Sequence, residues 1–200
     1  TMTTERTIKI LGVSGSLRQK SYNTALLRAA AELLPAGMSL EIFDLAPLPM
    51  FNPDFEKPFP DSVADFRRQI SESVADFRRQ ISESDAVLFA TPEYNSSVSS
   101  SLKNAIDWAS RPPNKPLDRK PVALIGVTTG NFGTVRAQLQ LRQILTHVGA
   151  IVLAKPEVLV ARAEQAFDAE GRLVDESARG FLHDLLVALG KWVETLSPGE

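Results

Sequence analysis

Ile8-Lys9-Ile10-Leu11-Gly12-Val13-Ser14-Gly15-Ser16-Leu17-Arg18-Gln19-Lys20-Ser21-Tyr22-Asn23-Thr24 is the stretch that decides the fold. Ile8 to Val13 is an apolar run of strand length. Asn23 to Leu34 then places Leu26, Leu27, Ala30, Leu33 and Leu34 at helical spacing. The turn between them is built for an anion. Gly15 lets the backbone approach closely. Ser14 and Ser16 supply hydroxyl donors, and Arg18 supplies a fixed fork of N–H groups. Ser21 and Asn23 are good helix caps, so the positive end of a helix dipole faces the loop. A terminal phosphate monoester suits all of these groups. A Walker A loop would need Gly-Lys-Ser/Thr at its end, which is missing. A dinucleotide fingerprint would need a third glycine beyond Gly12 and Gly15, although Asp44 stands where its ribose-binding acid would be. A polar turn before a well-capped helix is the bland alternative.

Outward from this unit the same alternation repeats. Leu40 to Phe43, Ala86 to Ala90 and Val122 to Val127 read as strands, and Ile151 to Leu153 with Val158 to Val160 as a last, broken one. Val63 to Ile81, Leu102 to Ala109, Thr134 to Val148 and Phe181 to Leu196 read as helices, and Leu45 to Pro60 as a loop rich in proline and phenylalanine. Alternating strands and helices imply an α/β fold with a parallel sheet covered on both faces. Five such units suit the flavodoxin-like order 2-1-3-4-5, in one domain spanning residues 1–200. Ligands of such sheets bind beyond the carboxyl ends of the strands, so the loops after the first, third and fourth strands are the ones to inspect.

The loop after the third strand, Thr91 to Ser101, has Pro92 to stop the strand and Tyr94 to hold a flat heterocycle. A proline-stopped turn before a serine-capped helix also explains most of it. The loop after the fourth strand, Thr128 to Thr134, has Gly130 and Gly133 and a Thr128-Thr129 pair suited to a backbone-lined edge contact, or simply to a glycine turn.

Taken together, the motifs resemble the NADPH-dependent FMN reductase family, in the branch of bacterial quinone and chromate reductases and azoreductases. Gly12, Ser14, Gly15, Ser16, Arg18, Ser21 and Asn23 match its first motif; Pro92 to Asn95 and Leu102 to Trp108 match its second. Arg136-Ala137-Gln138, Leu141-Arg142-Gln143 and Pro156-Glu157-Val158 also look familial. The resemblance implies that Ser14, Ser16, Leu17, Arg18, Asn23 and Thr24 hold the phosphate of FMN. It implies that Pro92, Glu93, Tyr94 and Asn95 line the isoalloxazine, with Thr128, Thr129 and Gly130 along another edge. It further implies NADPH or NADH as co-substrate, small-molecule acceptors such as quinones, and a homodimer or homotetramer. One departure stands out: Ser99, Ser100 and Ser101 fill a stretch where the family commonly carries Pro-Gly, and the exchange is expected to loosen the turn.

Composition narrows the function classes. A net charge of -2 without a basic block argues against nucleic acid. The absence of cysteine removes thiolate catalysis and thiolate metal sites, and is consistent with a reducing cytoplasm. No apolar run approaches the length of a membrane span, and Thr1 to Lys9 lacks a signal-peptide core. His147 and His183 sit in helical patterns, and no side-chain spacing suggests a metal site. No general acid or nucleophile is assigned, because a flavin performs the hydride transfer itself. The rival classes are a flavodoxin-like electron carrier or sensor without turnover, and a ligand-free scaffold.

Finally, SVADFRRQISE occupies 62–72 and again 73–83. Eleven residues are about three helical turns, so Val63, Phe66 and Ile70 are expected on the stripe of Val74, Phe77 and Ile81. The insert is expected to lengthen the second helix past the sheet. It is then either a tolerated overhang or looped-out copy, or a means of moving the loop Leu45 to Pro60.

Overall fold

The structure, a computed structural model, describes residues 6–56 and 64–197, with side chains given outside 55–71. Strand β1 (Ile8–Ser14) lies between β2 (Met38–Phe43) and β3 (Ala86–Ala90), and β3 pairs with β4 (Pro121–Val127). All pairings are parallel, and the order is 2-1-3-4-5, as expected. The broken last strand is two strands on one neighbour. β5 (Ile151–Val152) pairs with the start of β4 at Pro121 and Val122, and β6 (Val158–Val160) with its end at Ile125 to Val127.

Each strand serves two cores because alternate side chains leave opposite faces. Ile10, Leu88, Ala123 and Ile125 pack under α1 (Tyr22–Glu32) and α6 (Glu176–Leu196). Leu11, Val13, Val87, Phe89 and Leu124 pack under α2 (Ala64–Glu83), α3 (Ser100–Ala109) and α4 (Val135–His147). The two-sided burial explains the continuous apolar runs of the central strands. α6 starts at Glu176, earlier than the reading from Phe181, because Asp175 caps it by accepting from Ala178 N–H. Gly180, a weak helix former, hid that turn in the sequence. The short α5 (Ala163–Ala166) and a 3₁₀ turn (Pro53–Glu56) were also not legible.

From Ala64 onward both copies of the repeat lie in the single helix α2, so neither is looped out. Val74, Phe77 and Ile81 of the second copy are buried; the side chains of Val63, Phe66 and Ile70 lie outside the described residues. The 20 residues of α2 span about 30 Å, against about 23 Å for the seven of β1. Among the described residues no helix is long and apolar enough to cross a membrane.

Candidate active site

The three inspected loops meet at the carboxyl edge of the sheet. In the first, Ser14 is buried and its Oγ accepts from Thr24 Oγ1 at 2.9 Å and from Ser16 N–H at 3.3 Å. Ser21 caps α1 by accepting from Thr24 N–H. The first-turn N–H groups of α1 therefore face the loop, where they favour negative charge. Leu17, Arg18 and Lys20 are exposed around this mouth.

Asn23 behaves differently from its neighbours. Its side chain is buried, its Nδ2 donates to Val127 C=O at 3.1 Å, and its Oδ1 accepts from Val127 N–H at 3.0 Å. The side chain thus ties α1 to the end of β4, which leaves the Asn23 main-chain N–H for the anion-facing first turn.

The second loop reverses in a tight turn. Tyr94 and Ser97 exchange backbone hydrogen bonds at 3.1 and 3.0 Å, and the residues between them, Asn95 and Ser96, have φ of 51° and 62°. Two consecutive left-handed residues are the signature of a type I′ turn, which suits Asn better than Ser. The turn holds Tyr94 half-exposed, with its hydroxyl 3.4 Å from Ser16 Oγ in the first loop. At Ser99–Ser101, where the exchange is expected to loosen the turn, the structure shows hydrogen bonds to the first loop and to α3. Ser99 caps α3, and both Ser99 Oγ and Ser101 Oγ donate to Gly15 C=O, at 2.7 and 2.8 Å. The hydroxyls tie this stretch to the first loop.

Glu93 reaches across to α4. Its carboxylate accepts from Arg136 N–H at 3.0 Å, Ala137 N–H at 3.2 Å and the Arg136 guanidinium at 2.9 Å. Thr134, at the head of α4, has φ of 65° and makes no side-chain cap, so Glu93 caps the helix from another loop. Gln140 adds a second tie, donating to Ser96 C=O and accepting from Ser97 Oγ. Burial alone would raise the Glu93 pKa, but the hydrogen bonds from Ala137 and Arg136, with the Arg136 charge, outweigh it and leave the carboxyl below its usual range. A carboxyl lowered on folding contributes stability at neutral pH and loses it as pH falls through the folded value. Glu93→Gln is therefore expected to lower the Tm by about 3–6 °C at pH 7. The gap should close below the ordinary carboxylate range, about pH 4. Thermal melts across pH check this; a gap of constant size would mean the charge plays no part.

In the third loop, Thr128 and Gly130 are tied to the segment after β6. Thr128 N–H donates to Val160 C=O, Arg162 N–H to Gly130 C=O, and Ala163 N–H to Thr128 C=O. Thr129 and Gly130 are exposed, and a Cβ added at Gly130 would meet nothing nearer than 3.9 Å. Phe132 is exposed, with the Arg136 guanidinium 4.6 Å from its ring centroid.

The second motif also contains residues the sequence reading left without a role. Asn104 Nδ2 and Trp108 Nε1 both donate to Pro49 C=O at 2.9 Å, and Asn104 Oδ1 accepts from Phe51 N–H at 2.6 Å. They bolt the loop after β2, with its exposed Met50, onto α3. A buried Asn in mid-helix was the available signal. His147 and His183 are both exposed on helices away from these loops.

The residues fit a flavin mononucleotide. Hydroxyls, a helix N-terminus and two exposed cations surround one end of the crevice. Exposed Tyr94 and Phe132, with the open flank at Gly130, suit an aromatic ring at the other.

The chain resembles known proteins in sequence and in fold. Residues 8–165 match the family described as NADPH-dependent FMN reductase. The chain is 49% identical over 190 residues to an NAD(P)H-dependent FMN reductase of Pseudomonas aeruginosa, covering 94% of this chain and 97% of that protein. It is 44% identical over 189 residues to an NADPH:quinone oxidoreductase of Arabidopsis thaliana, covering 91% and 90%. Among solved structures, the flavoenzyme NAD(P)H:(acceptor) oxidoreductase of Paracoccus denitrificans superposes with a TM-score of 0.81 at 33% identity, covering 94% of this chain and 98% of that one. The chain belongs to the NADPH-dependent FMN reductase family.

Proposed function

We propose that this chain is a single-domain, cytoplasmic FMN-dependent NAD(P)H oxidoreductase that reduces quinones by two electrons in a ping-pong cycle, with azo, nitro or metal-oxyanion compounds as further acceptors. The observation that carries the reading is the meeting of three strand-end loops, joined by Ser16 to Tyr94, by Glu93 to the head of α4 and by Asn23 to the end of β4. Relatives named as FMN and quinone reductases support it. Ser14, Ser16, Leu17, Arg18 and Thr24 surround the phosphate, and Asn23 offers its main-chain N–H while its side chain holds the loop to β4. Pro92, Glu93, Tyr94 and Asn95 line the ring, with Glu93 acting through α4. Thr128, Thr129 and Gly130 line another edge. When bound, the flavin supplies the two-electron chemistry between nicotinamide and acceptor. The protein binds and orients the reactants. A homodimer or homotetramer with the sites near a subunit interface is part of the same reading.

Anaerobic mixing of the flavin-loaded protein with NADPH or NADH, then with a quinone, tests the reading. Bleaching followed by recovery of the yellow colour is expected. A protein that refuses FMN overturns it, and one that takes FMN but is not bleached by either nicotinamide is a carrier or sensor.

The repeat lengthens α2 at its amino end, which lies at the carboxyl edge of the sheet because a helix entering the next parallel strand runs back across it. Deleting either copy leaves the same chain, with Val63, Phe66 and Ile70 passing into the places of Val74, Phe77 and Ile81. The deletion is expected to leave FMN affinity within about twofold and the Tm within about 4 °C. If acceptor kinetics and oligomer size are also unchanged, the overhang has no part in the site.

A further inference from the structure

We propose that Ser99 and Ser101 are positioning residues for the flavin phosphate, acting through the Gly15–Ser16 peptide; this rests on the FMN reading above. Neither hydroxyl faces the mouth of the first loop. Both donate instead to one acceptor, Gly15 C=O, at 2.7 and 2.8 Å, and they lie 3.3 Å from each other. A carbonyl oxygen has two lone pairs, and this pair of hydroxyls takes both.

The consequence follows from peptide planarity. In a trans peptide the C=O of one residue and the N–H of the next point in opposite directions. With Gly15 C=O pinned toward the head of α3, Ser16 N–H is turned the other way, into the loop. There, among the described residues, it meets only Ser14 Oγ, at a long 3.3 Å. Gly15 N–H is also fixed, donating to Ala90 C=O at 2.8 Å. The Gly15 Cα has no side chain to hold the plane, and glycine is the residue whose flanking peptides rotate most easily. The two serines supply from α3 the restraint that glycine lacks. They preset one N–H donor toward the phosphate position before any ligand arrives, which lowers the ordering cost of binding.

The serines also explain why Gly15 is tolerated so close to α3. A Cβ there would stand 2.8 Å from Ser99 Oγ and 2.9 Å from Pro92 Cδ. Glycine is needed for the approach, and the approach brings the hydroxyls within bonding distance of its carbonyl. Ser99 has a second duty as the cap of α3, accepting from Leu102 N–H at 3.3 Å. Ser101 Oγ bonds to Gly15 C=O and lies beside Ser99 Oγ without capping the helix, so it is the cleaner probe.

The test compares FMN with riboflavin, which carries the same ring and no phosphate, by fluorescence titration of wild type, Ser101→Ala and Ser101→Thr. Ser101→Ala is expected to weaken FMN binding about tenfold and riboflavin less than twofold, the size of one lost hydrogen bond confined to the phosphate end. Ser101→Thr keeps a hydroxyl and should restore FMN affinity. The ³¹P resonance of FMN bound to Ser101→Ala should also move from its wild-type position. Equal weakening of both flavins, or no weakening of FMN with an unmoved ³¹P resonance, overturns the proposal. Failure of the wild type to bind either flavin would instead overturn the FMN reading.

Discussion

Asn23→Ala should lower the stability of the flavin-free protein by about 2–4 kcal/mol, a fall of about 5–12 °C in Tm. The reason lies in the sheet. On the β3 side, the β3–β4 register ends at Ala90 and Ile125, and Thr91 N–H takes Ile125 C=O as the chain turns away. Val127, two residues further on, has lost that neighbour strand. The Asn23 carboxamide carries the same donor and acceptor as a peptide, and it completes both bonds to Val127 from a site only 4% exposed. Alanine would leave a buried N–H and a buried C=O without partners, and each such group costs about 1–3 kcal/mol. Thermal melts of flavin-free protein decide the matter. An unchanged Tm with weakened FMN binding would mean that Asn23 acts on the phosphate alone.

Gly15→Ala should weaken FMN binding by about 100-fold or more, equivalent to about 2.7 kcal/mol. The added methyl would stand 2.8 Å from Ser99 Oγ, 2.9 Å from Pro92 Cδ and 3.1 Å from Leu102 Cβ. Only the serine hydroxyl is free to swing aside. Pro92 is fixed by its ring, and Leu102 Cβ belongs to the first turn of a packed helix. The first loop must therefore move off the second loop and the head of α3, breaking the Ser99 and Ser101 bonds to Gly15 C=O. Overpacking at a tight contact costs about 1–3 kcal/mol, and here the strain falls on the ligand-facing loop. Flavin titration checks the prediction; an affinity within about threefold of wild type would sink it.

Both effects turn on residues whose type was visible in the sequence and whose task was not. Asn23 was read as a helix cap and, by its match to a familial motif, among the phosphate-holding residues, whereas Ser21 alone is the cap. The Asn23 side chain went instead to Val127, 104 positions away in sequence. Glu93 was read as part of the ring-facing loop, and the structure makes it the cap of α4 because Thr134 leaves that helix head uncapped. The three serines were read as a loss of stiffness. Local propensity could not show that Gly15 C=O lay within reach of two of their hydroxyls.

What the sequence determined by itself was the alternation of elements, and with it the strand order. Apolar runs of strand length and helical stripes are encoded within ten or so residues, and parallel connectivity with right-handed crossovers leaves few ways to assemble them. It also placed the three loops, because ligand crevices in such sheets follow from topology. Only the tertiary structure decided which polar groups face the crevice and which hold it in shape. A Ser, Asn or Glu can bond to a ligand or to a backbone group equally well, and distant strands and helices coming within about 3 Å settle the choice.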